Sequence, residues 1–424
     1  MPRPRVLLLA PHLSYRIAPF LEAAARLDIE LLLASEGRYS LVGAIAAGIH
    51  VDLTQPDAAL ARLLAAVDGN LAGVVASDDA TVELAARVAA ALGLAHNAPA
   101  SARLTRRKDL ARACLAAAGL PVPAHRRIDL TAPLAPQIHG LAYPCVIKPL
   151  SMSASRGVIR ADDPAALGRA AVRLRAITAE LTDPEERDHA LIEAYLPGFE
   201  VALEGLLSHG RLRVLALFDK PDPLEGPYFE ETYYITPSRL TPALQARVAE
   251  RVAAACTAYG LREGPIHAEL RVHAGEAWIL EVAARTIGGE CARLLRLSTG
   301  RGLEELVLEQ ALGRDPVLEP ASGGAGVLMI PIPRAGILRR VEGLLAAQRV
   351  PHIEDVTLNL REGYELIPLP EGSSYFGHIY ARAPDAHAAE AALRAAHAEL
   401  RIVTAPLVRL QADPAAPPTG GLRG

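Results

Sequence analysis

Short apolar runs and amphipathic stretches alternate through the first hundred residues of this chain. Arg5–Ala10 is apolar up to Pro11, Ile17–Leu27 carries apolar residues at helical spacing, and Ile29–Ala34 is apolar again. Val51–Leu53, Asp57–Ala66, Gly73–Ala76 and Thr81–Leu92 continue the alternation as strand, helix, strand and helix. Such an order predicts a parallel sheet with helices on its faces. Asp78 and Asp79 follow one of these strands, where open α/β sheets place ligands; a cap on the next helix is the alternative role for Asp78.

The pattern changes after a helix at Arg107–Ala118, which stops at Gly119. Pro121 and Pro123 force the next residues to be extended, so a new domain begins there. Tyr143–Pro149 reads as a buried strand carrying Lys148, and the loop Ser151–Gly157 leads to a strand at Val158–Arg160. Helix Pro164–Leu181 and strand Ala190–Glu193 complete a small unit. Strands at Glu200–Leu207, Leu212–Asp219 and Glu230–Thr236, helix Thr241–Tyr259, a hairpin at 266–282 and a helix near Gly302–Gly313 follow. From about Ala325 to Leu410 the pattern restarts, with strands near Gly326–Ile332, Ile353–Asn359 and His378–Ala383 and a helix at Ala386–Leu400. This predicts a separate α+β appendage. Ala412–Gly424 lacks periodicity and reads as a disordered tail. No internal repeats are visible.

A length of 424 residues with 51% hydrophobic residues fits several domains. The net charge of −4 leaves no field to collect nucleic acid or coat an anionic membrane, and no apolar run is long enough to span one. Cys114, Cys145, Cys256 and Cys291 lie far apart, without zinc or disulfide spacing. A cytoplasmic enzyme acting on small molecules is the expectation. Of the 44 basic residues only Lys108, Lys148 and Lys220 are lysine. In a chain that otherwise uses arginine, these mark positions suited to a compact ammonium.

The hairpin carries the clearest chemistry. If its turn centres on Gly275, Glu269 falls directly across from Glu281. Opposed carboxylates destabilise a strand pair, and a divalent cation shared with phosphate oxygens compensates them. A one-residue slip, placing one glutamate in solvent, is the alternative. Arg285 follows, and Gly288-Gly289 permits close backbone approach to an anion. The loop Ser151-Met-Ser-Ala-Ser-Arg-Gly157 can lay N–H groups over phosphates, next to Lys148. Glu193 and Glu200 bracket an extended segment suited to a base edge and ribose hydroxyls; Glu200 as a surface strand residue is the alternative.

In this order Lys108, Lys148-Pro149, the Ser/Gly loop, Glu193, Glu200, Glu269 and Glu281-x-x-x-Arg285 resemble the ATP-grasp superfamily over roughly residues 1–320. The resemblance implies a multidomain α/β and α+β fold: an N-terminal parallel α/β domain (1–103), an ATP-grasp fold of two α+β subdomains (104–196, including the lid, and 197–320), and a C-terminal α+β domain (325–411) before the tail (412–424). It implies Mg-ATP, with manganese able to substitute, and ADP-forming ligation of a small-molecule carboxylate to an amine through an acylphosphate. It places Lys108 and Lys148 on phosphates, together with Ser153, Ser155 and Gly157. Glu193, Tyr195 and Leu196 take the adenine hinge, Glu200 the ribose, and Glu269 and Glu281 the metal. The segment Phe218–Glu231, Arg285-x-x-Gly-Gly289 and the C-terminal region look most like the L-amino acid ligases. This implies substrate contacts from Glu230, Arg285, Gly288 and Gly289, with Arg285, Lys148 and Glu230 as catalytic residues. A homodimer is compatible with the family.

Lys220 is expected to order the substrate loop or to pair with Asp219 or Asp222. Glu230, Glu231 and His267 are the candidate bases for the amine. Ala283 stands where many relatives of this kind carry Asn, which removes one oxygen from the metal site. Two alternatives are a carboxylase or formyl-transferring ligase using bicarbonate or formate, and a non-catalytic nucleotide-binding module. The long segment Pro221–Tyr234 favours a larger organic acid than the first requires. Retention of both lysines and both metal glutamates argues against the second.

Overall fold

The structure, a computed structural model, describes residues 3–12, 14–36, 47–67, 69–318 and 321–407. The tail expected at 412–424 lies outside them.

Strands β1 (Arg5–Leu9), β2 (Glu30–Ser35), β3 (Ala47–His50) and β4 (Leu71–Ala76) form a parallel sheet in the order β3-β2-β1-β4. Val6 to Leu9 are fully buried. Their unbroken apolar run reflects helices covering both faces, since one covered face would have produced alternation. The third strand ends at His50 instead of occupying Val51–Leu53: Val51 only caps it, donating its N–H to Ser35 O at 3.0 Å. The connection between β1 and β4 reverses direction relative to β2. Its loops, carrying Tyr15, Arg16, Asp78 and Asp79, open on the site cavity at the sheet's carboxyl edge.

A helix not anticipated from the pattern, Pro99–Arg106, precedes Lys108–Ala117. Its proline at the first turn was the available signal. Next, β5 (His125–Asp129), β6 (Cys145–Pro149), β7 (Ile159–Ala161) and β8 (His189–Ala194) pair antiparallel in the order β5-β8-β6-β7. Helix Pro164–Thr178 covers this sheet. Asp163 caps it by accepting from Ala166 N–H at 2.7 Å.

The remaining strands are β9 (Phe199–Ser208), β10 (Arg211–Lys220), β11 (Tyr233–Thr236), β12 (Gly264–His273), β13 (Glu276–Ala283), β14 (Gly324–Ile330), β15 (Gly336–Glu342), β16 (Ile353–Leu358), β17 (Glu365–Leu366), β18 (Gly377–Ala383) and β19 (Arg401–Ala405). Eight of them make one sheet in the order β13-β12-β9-β10-β11-β14-β18-β16, and β17-β15-β19 make a small third layer.

The C-terminal α+β region joins the large sheet. The short strand β11 presents a free edge, and β14 pairs with it from Tyr233↔Leu328 to Thr236↔Ala325. The C-terminal strands therefore extend the large sheet and bring Asn359, Tyr375 and His378 to the same cavity as Lys148. Among the described residues no helix is long and apolar enough to cross a membrane.

Candidate active site

A cavity of about 700 Å³ lies where the N-terminal sheet's carboxyl edge, the β5–β8 sheet and the large sheet meet. Lys148 projects from β6, whose five residues are all buried. Its ammonium pairs with Glu193 of β8, which also accepts from Arg112. Burial opposes a charge on Glu193, but the two cations outweigh it and hold the carboxyl down to about 2. Burial lowers the Lys148 ammonium, Glu193 raises it, and the nearby Arg112 and Lys108 leave it below its ordinary value. Two cations thus share one carboxylate, and Lys148 lines the cavity.

Lys108 begins its helix, anchored by its own N–H on Leu150 O at 2.9 Å. Its ammonium donates to Met152 O at 2.8 Å and sits 3.2 Å from Glu281. Lys108 thereby ties the loop after β6 to the hairpin.

Glu269 and Glu281 do face each other, but for a different reason than the turn suggested. Beside the turn, Val272 pairs with Ala277 and Leu270 with Ile279. A bulge at Leu280 then shifts the register so that Glu269 meets Glu281. A regular ladder would have set Glu269 against Leu280 and turned Glu281 to the opposite face. The released Leu280 carbonyl is not orphaned, because Arg112 donates to it at 2.7 Å.

Beside Glu269 lies a buried charge network. Lys220 reaches Glu200 at 2.9 Å, Glu231 at 2.7 Å and Glu269 at 3.2 Å. The expected partners Asp219 and Asp222 do not take it. Strand alternation turns Asp219 to the other side, where Arg239 and Ser238 bind it, and Asp222 meets Arg394 and Thr232. Glu200, Glu231 and Glu269 bring their oxygens close enough to hold a cation, and the Lys220 ammonium is the cation there.

Burial opposes ionisation of Glu269, but Lys220 and His267 outweigh it and hold the carboxyl well below its usual range. Glu231 goes the other way. Burial and the charge of Glu269 raise it to about 7 against the pull of Lys220. His267 is raised as well: burial opposes its protonation, and hydrogen bonds to Glu204 and Glu269, at 3.3 and 3.5 Å, prevail.

Several expected residues are placed differently. The Glu193 carboxylate is turned to Lys148 and Arg112, so it positions a lysine instead of meeting a base. Ala194, Tyr195 and Leu196 line the cavity beside it, with Leu196 O held by Arg271 at 2.6 Å. Both Glu200 oxygens are engaged, by Lys220 and by Arg271 at 3.0 Å. Ser153 and Ser155 line the cavity; Gly157 does not, and its N–H donates to Pro370 O at 3.0 Å. Glu230 points away, accepting from Ile332 N–H at 3.4 Å, and its neighbour Glu231 is the carboxylate in the cavity. Ala283 is fully buried opposite His267 and offers no oxygen.

Arg285 reaches the cavity gripped by Asp79 of the N-terminal sheet at 3.0 and 2.9 Å. Asp78 is no helix cap: it binds Arg16 at 2.5 Å and Ser14 at 2.6 Å, and Thr81 stands at the N-cap. Gly288 and Gly289 are required by crowding. A Cβ at 288 would lie 3.1 Å from an Arg16 nitrogen, and one at 289 would lie 2.1 Å from the Met329 sulfur. Residues missed by sequence reasoning are Arg112, Arg271 and Arg16. Among 41 arginines nothing local distinguishes the three that meet the site.

The arrangement combines two facing carboxylates, a cluster of cations and a carboxyl near neutrality in one enclosed space. Residues 141–293 match the family model of the ATP-grasp domain, and residues 328–405 match that of L-amino acid ligase C-terminal domain 2. The chain is similar to the crystal structure of an L-amino acid ligase from Bacillus licheniformis, with 26% identity, TM-score 0.79 and coverage of 96% of this chain and 100% of that one. Two more distant structures share the fold. One is a phosphoribosylglycinamide synthetase from Anaerococcus prevotii, at 15% identity and TM-score 0.68, covering 95% of this chain and all of that one. The other is a carboxyaminoimidazole ribonucleotide synthase from Aspergillus clavatus complexed with ATP, at 17% and 0.72, covering 94% and 99%. A curated relative, the uncharacterized protein y4rH of Sinorhizobium fredii, is 25% identical over 392 residues, 89% of this chain and 78% of that protein.

Proposed function

We propose that this chain, which belongs to the ATP-grasp superfamily of ADP-forming carbon–nitrogen ligases and carries the C-terminal domain of the L-amino acid ligases, joins the carboxylate of one amino acid to the amine of another. The observation that carries this reading is the bulged hairpin, which sets Glu269 against Glu281 within reach of Lys108 in a cavity also lined by Lys148 and Arg285.

An all-oxygen pair of carboxylates, with Glu269 held ionised by burial-defying cations, fits a hard divalent ion. Glu269 and Glu281 would hold magnesium, which would supply positive charge against the polyphosphate of ATP, and Ala283 adds no side-chain ligand to these two. Lys108, Lys148 and the hydroxyls of Ser153 and Ser155 bind the phosphates, while the backbone of Tyr195 and Leu196 borders the base. Lys148 and Arg285 stabilise the charge on the γ-phosphoryl group as it moves to the substrate carboxylate and ADP leaves. The amine then attacks the acylphosphate carbon, the C–N bond forms and phosphate departs. Glu231, with a carboxyl near neutrality, takes the amine proton. The cavity extends well past Arg285 to Asn359 and His378, a space that bicarbonate or formate would leave largely unused.

ADP release measured across a matrix of amino-acid pairs tests the reading. Magnesium-dependent ADP formation stimulated by at least one pair, with a stoichiometric dipeptide product, is the expected outcome. Stimulation by bicarbonate or formate alone would sink it.

A further inference from the structure

Eight carboxylates line the cavity: Asp78, Asp79, Glu193, Glu200, Glu231, Glu269, Glu281 and Glu290. Seven are paired with a lysine or arginine. Arg16 holds Asp78, Arg285 holds Asp79, and Arg112 with Lys148 hold Glu193. Lys220 serves Glu200, Glu231 and Glu269, and Lys108 serves Glu281. Among the described residues Glu290 is the exception. It accepts from the Tyr380 hydroxyl at 3.0 Å, and the nearest candidate cation, Arg293, is spent on Asp355 at 2.7 Å and on the face of the Tyr380 ring. A carboxylate in a partly enclosed site without a partner is costly to keep ionised.

Two independent features share this corner. Glu290 has φ +56°, a left-handed backbone that non-glycine residues seldom adopt and that turns its side chain into the cavity after Gly288-Gly289. Across from it, His378 of β18 lines the cavity yet is only 4% exposed, and its Nε2 has no hydrogen-bond partner. Burial keeps this imidazole below its ordinary value, against the pull of Glu290. Its Nδ1 lies 3.4 Å from the Asn359 amide, which also lines the wall, and its ring stacks on Tyr380.

We propose that Glu290, His378 and Asn359 form a subsite for a cationic side chain, so that one of the two joined substrates is a basic amino acid. This rests on the ligase reading above. The carboxylate supplies the missing countercharge, the Asn359 amide oxygen supplies a neutral acceptor, and the Tyr375 ring walls the alkyl stem. Lysine, ornithine and arginine share the required chemistry. Norleucine has the stem of lysine without its ammonium.

The test compares lysine with norleucine on the full-length protein in two ways: as the varied member of an amino-acid pair in ADP release, and by calorimetric titration in the presence of magnesium and a non-hydrolysable ATP analogue. Lysine should be preferred on the order of tenfold or more, and Glu290→Gln should collapse that ratio toward one. Equal binding of the two amino acids by the unaltered protein overturns the proposal, and so does a ratio that survives Glu290→Gln. The first of these needs no variant, so a misfolded Gln protein does not shield the idea. If no pair stimulates ADP formation, the ligase reading falls while the calorimetric ratio still decides the subsite.

Discussion

The two ends of the cavity are built on opposite principles. Around Lys148 every charge has a partner inside the protein: Glu193 is shared by two cations, Glu281 faces Lys108, and three glutamates surround Lys220. Around Glu290 and His378 the groups are left incomplete. An end that meets the same polyphosphate in every turnover can be preorganised, with its cations fixed by buried carboxylates. An end that selects among side chains leaves its polar groups for the substrate to complete, because a site built to hydrogen-bond one group rejects molecules lacking it. The contrast places catalytic power at one end and selectivity at the other.

Breaking the preorganised end should give the largest effect. Lys148→Ala removes a phosphate-binding cation but leaves Glu193 paired with Arg112, so no carboxylate is stranded. ADP release should fall by about 10³-fold, in line with loss of a donor aimed at developing charge. A melting curve close to that of the parent separates this from unfolding. Turnover within about tenfold of the parent, beyond which a transition-state donor has no room, would refute the assignment of Lys148.

The middle of the cavity is where the two principles meet, and there Glu231 sharpens the comparison. Its carboxyl is raised to about 7 by burial and by Glu269, with Lys220 pulling the other way. A proton acceptor works only when ionised. Amide formation should therefore fall as pH drops through about 7, by tenfold per unit well below it, and level off above. Glu231→Gln should lower product formation by about 10²-fold and abolish that limb. A limb that persists in the Gln variant assigns the proton to another group, and His267 is the next to examine.

The same division decides what could be read from sequence. Lys148, the Ser/Gly loop and the hairpin glutamates lie in short stretches whose residue types conflict with their setting: a lysine in an apolar strand, two acids in a β-ladder. Even so, the facing pair was reached through a turn centred one position away, and only the bulge at Leu280 makes it true. Bulges follow from tertiary contacts such as that of Arg112 with the Leu280 carbonyl, which no local pattern encodes. The sequence points to Glu230, whereas Glu231 is the one that faces in, because adjacent residues outside a regular strand show no alternation until β14 fixes their orientation. The substrate end was illegible for a stronger reason. Glu290, Asn359 and His378 come from segments up to 88 positions apart, and they meet only because β14 and β18 continue the large sheet past β11. The α+β appendage is legible in the sequence, but that its strands continue the large sheet and wall the cavity is not.

The smallest expected effect concerns how that wall closes. The loop after β6 is fastened to the C-terminal region at two points, Gly157 N–H on Pro370 O at 3.0 Å and Arg156 on Glu371 O at 2.8 Å, and Arg173 of the helix Pro164–Thr178 adds a third contact, to the Glu371 carboxylate at 2.7 Å. These contacts hold the loop carrying Ser153 and Ser155 against the segment carrying Tyr375, so both ends of the cavity are shielded together. The Arg173–Glu371 pair is near half exposed on both sides, which limits its worth to about 0.2–1 kcal/mol. Glu371→Ala should therefore leave the melting temperature nearly unchanged. It should raise ADP released without dipeptide product by up to about fivefold, because 1 kcal/mol shifts an opening equilibrium by about that factor. Added salt should mimic the variant in the parent protein and have less effect on the variant itself. Unaltered coupling of ADP release to product in Glu371→Ala, at low salt, would show that the two backbone contacts alone keep the loop closed and that the ion pair is incidental to the seal.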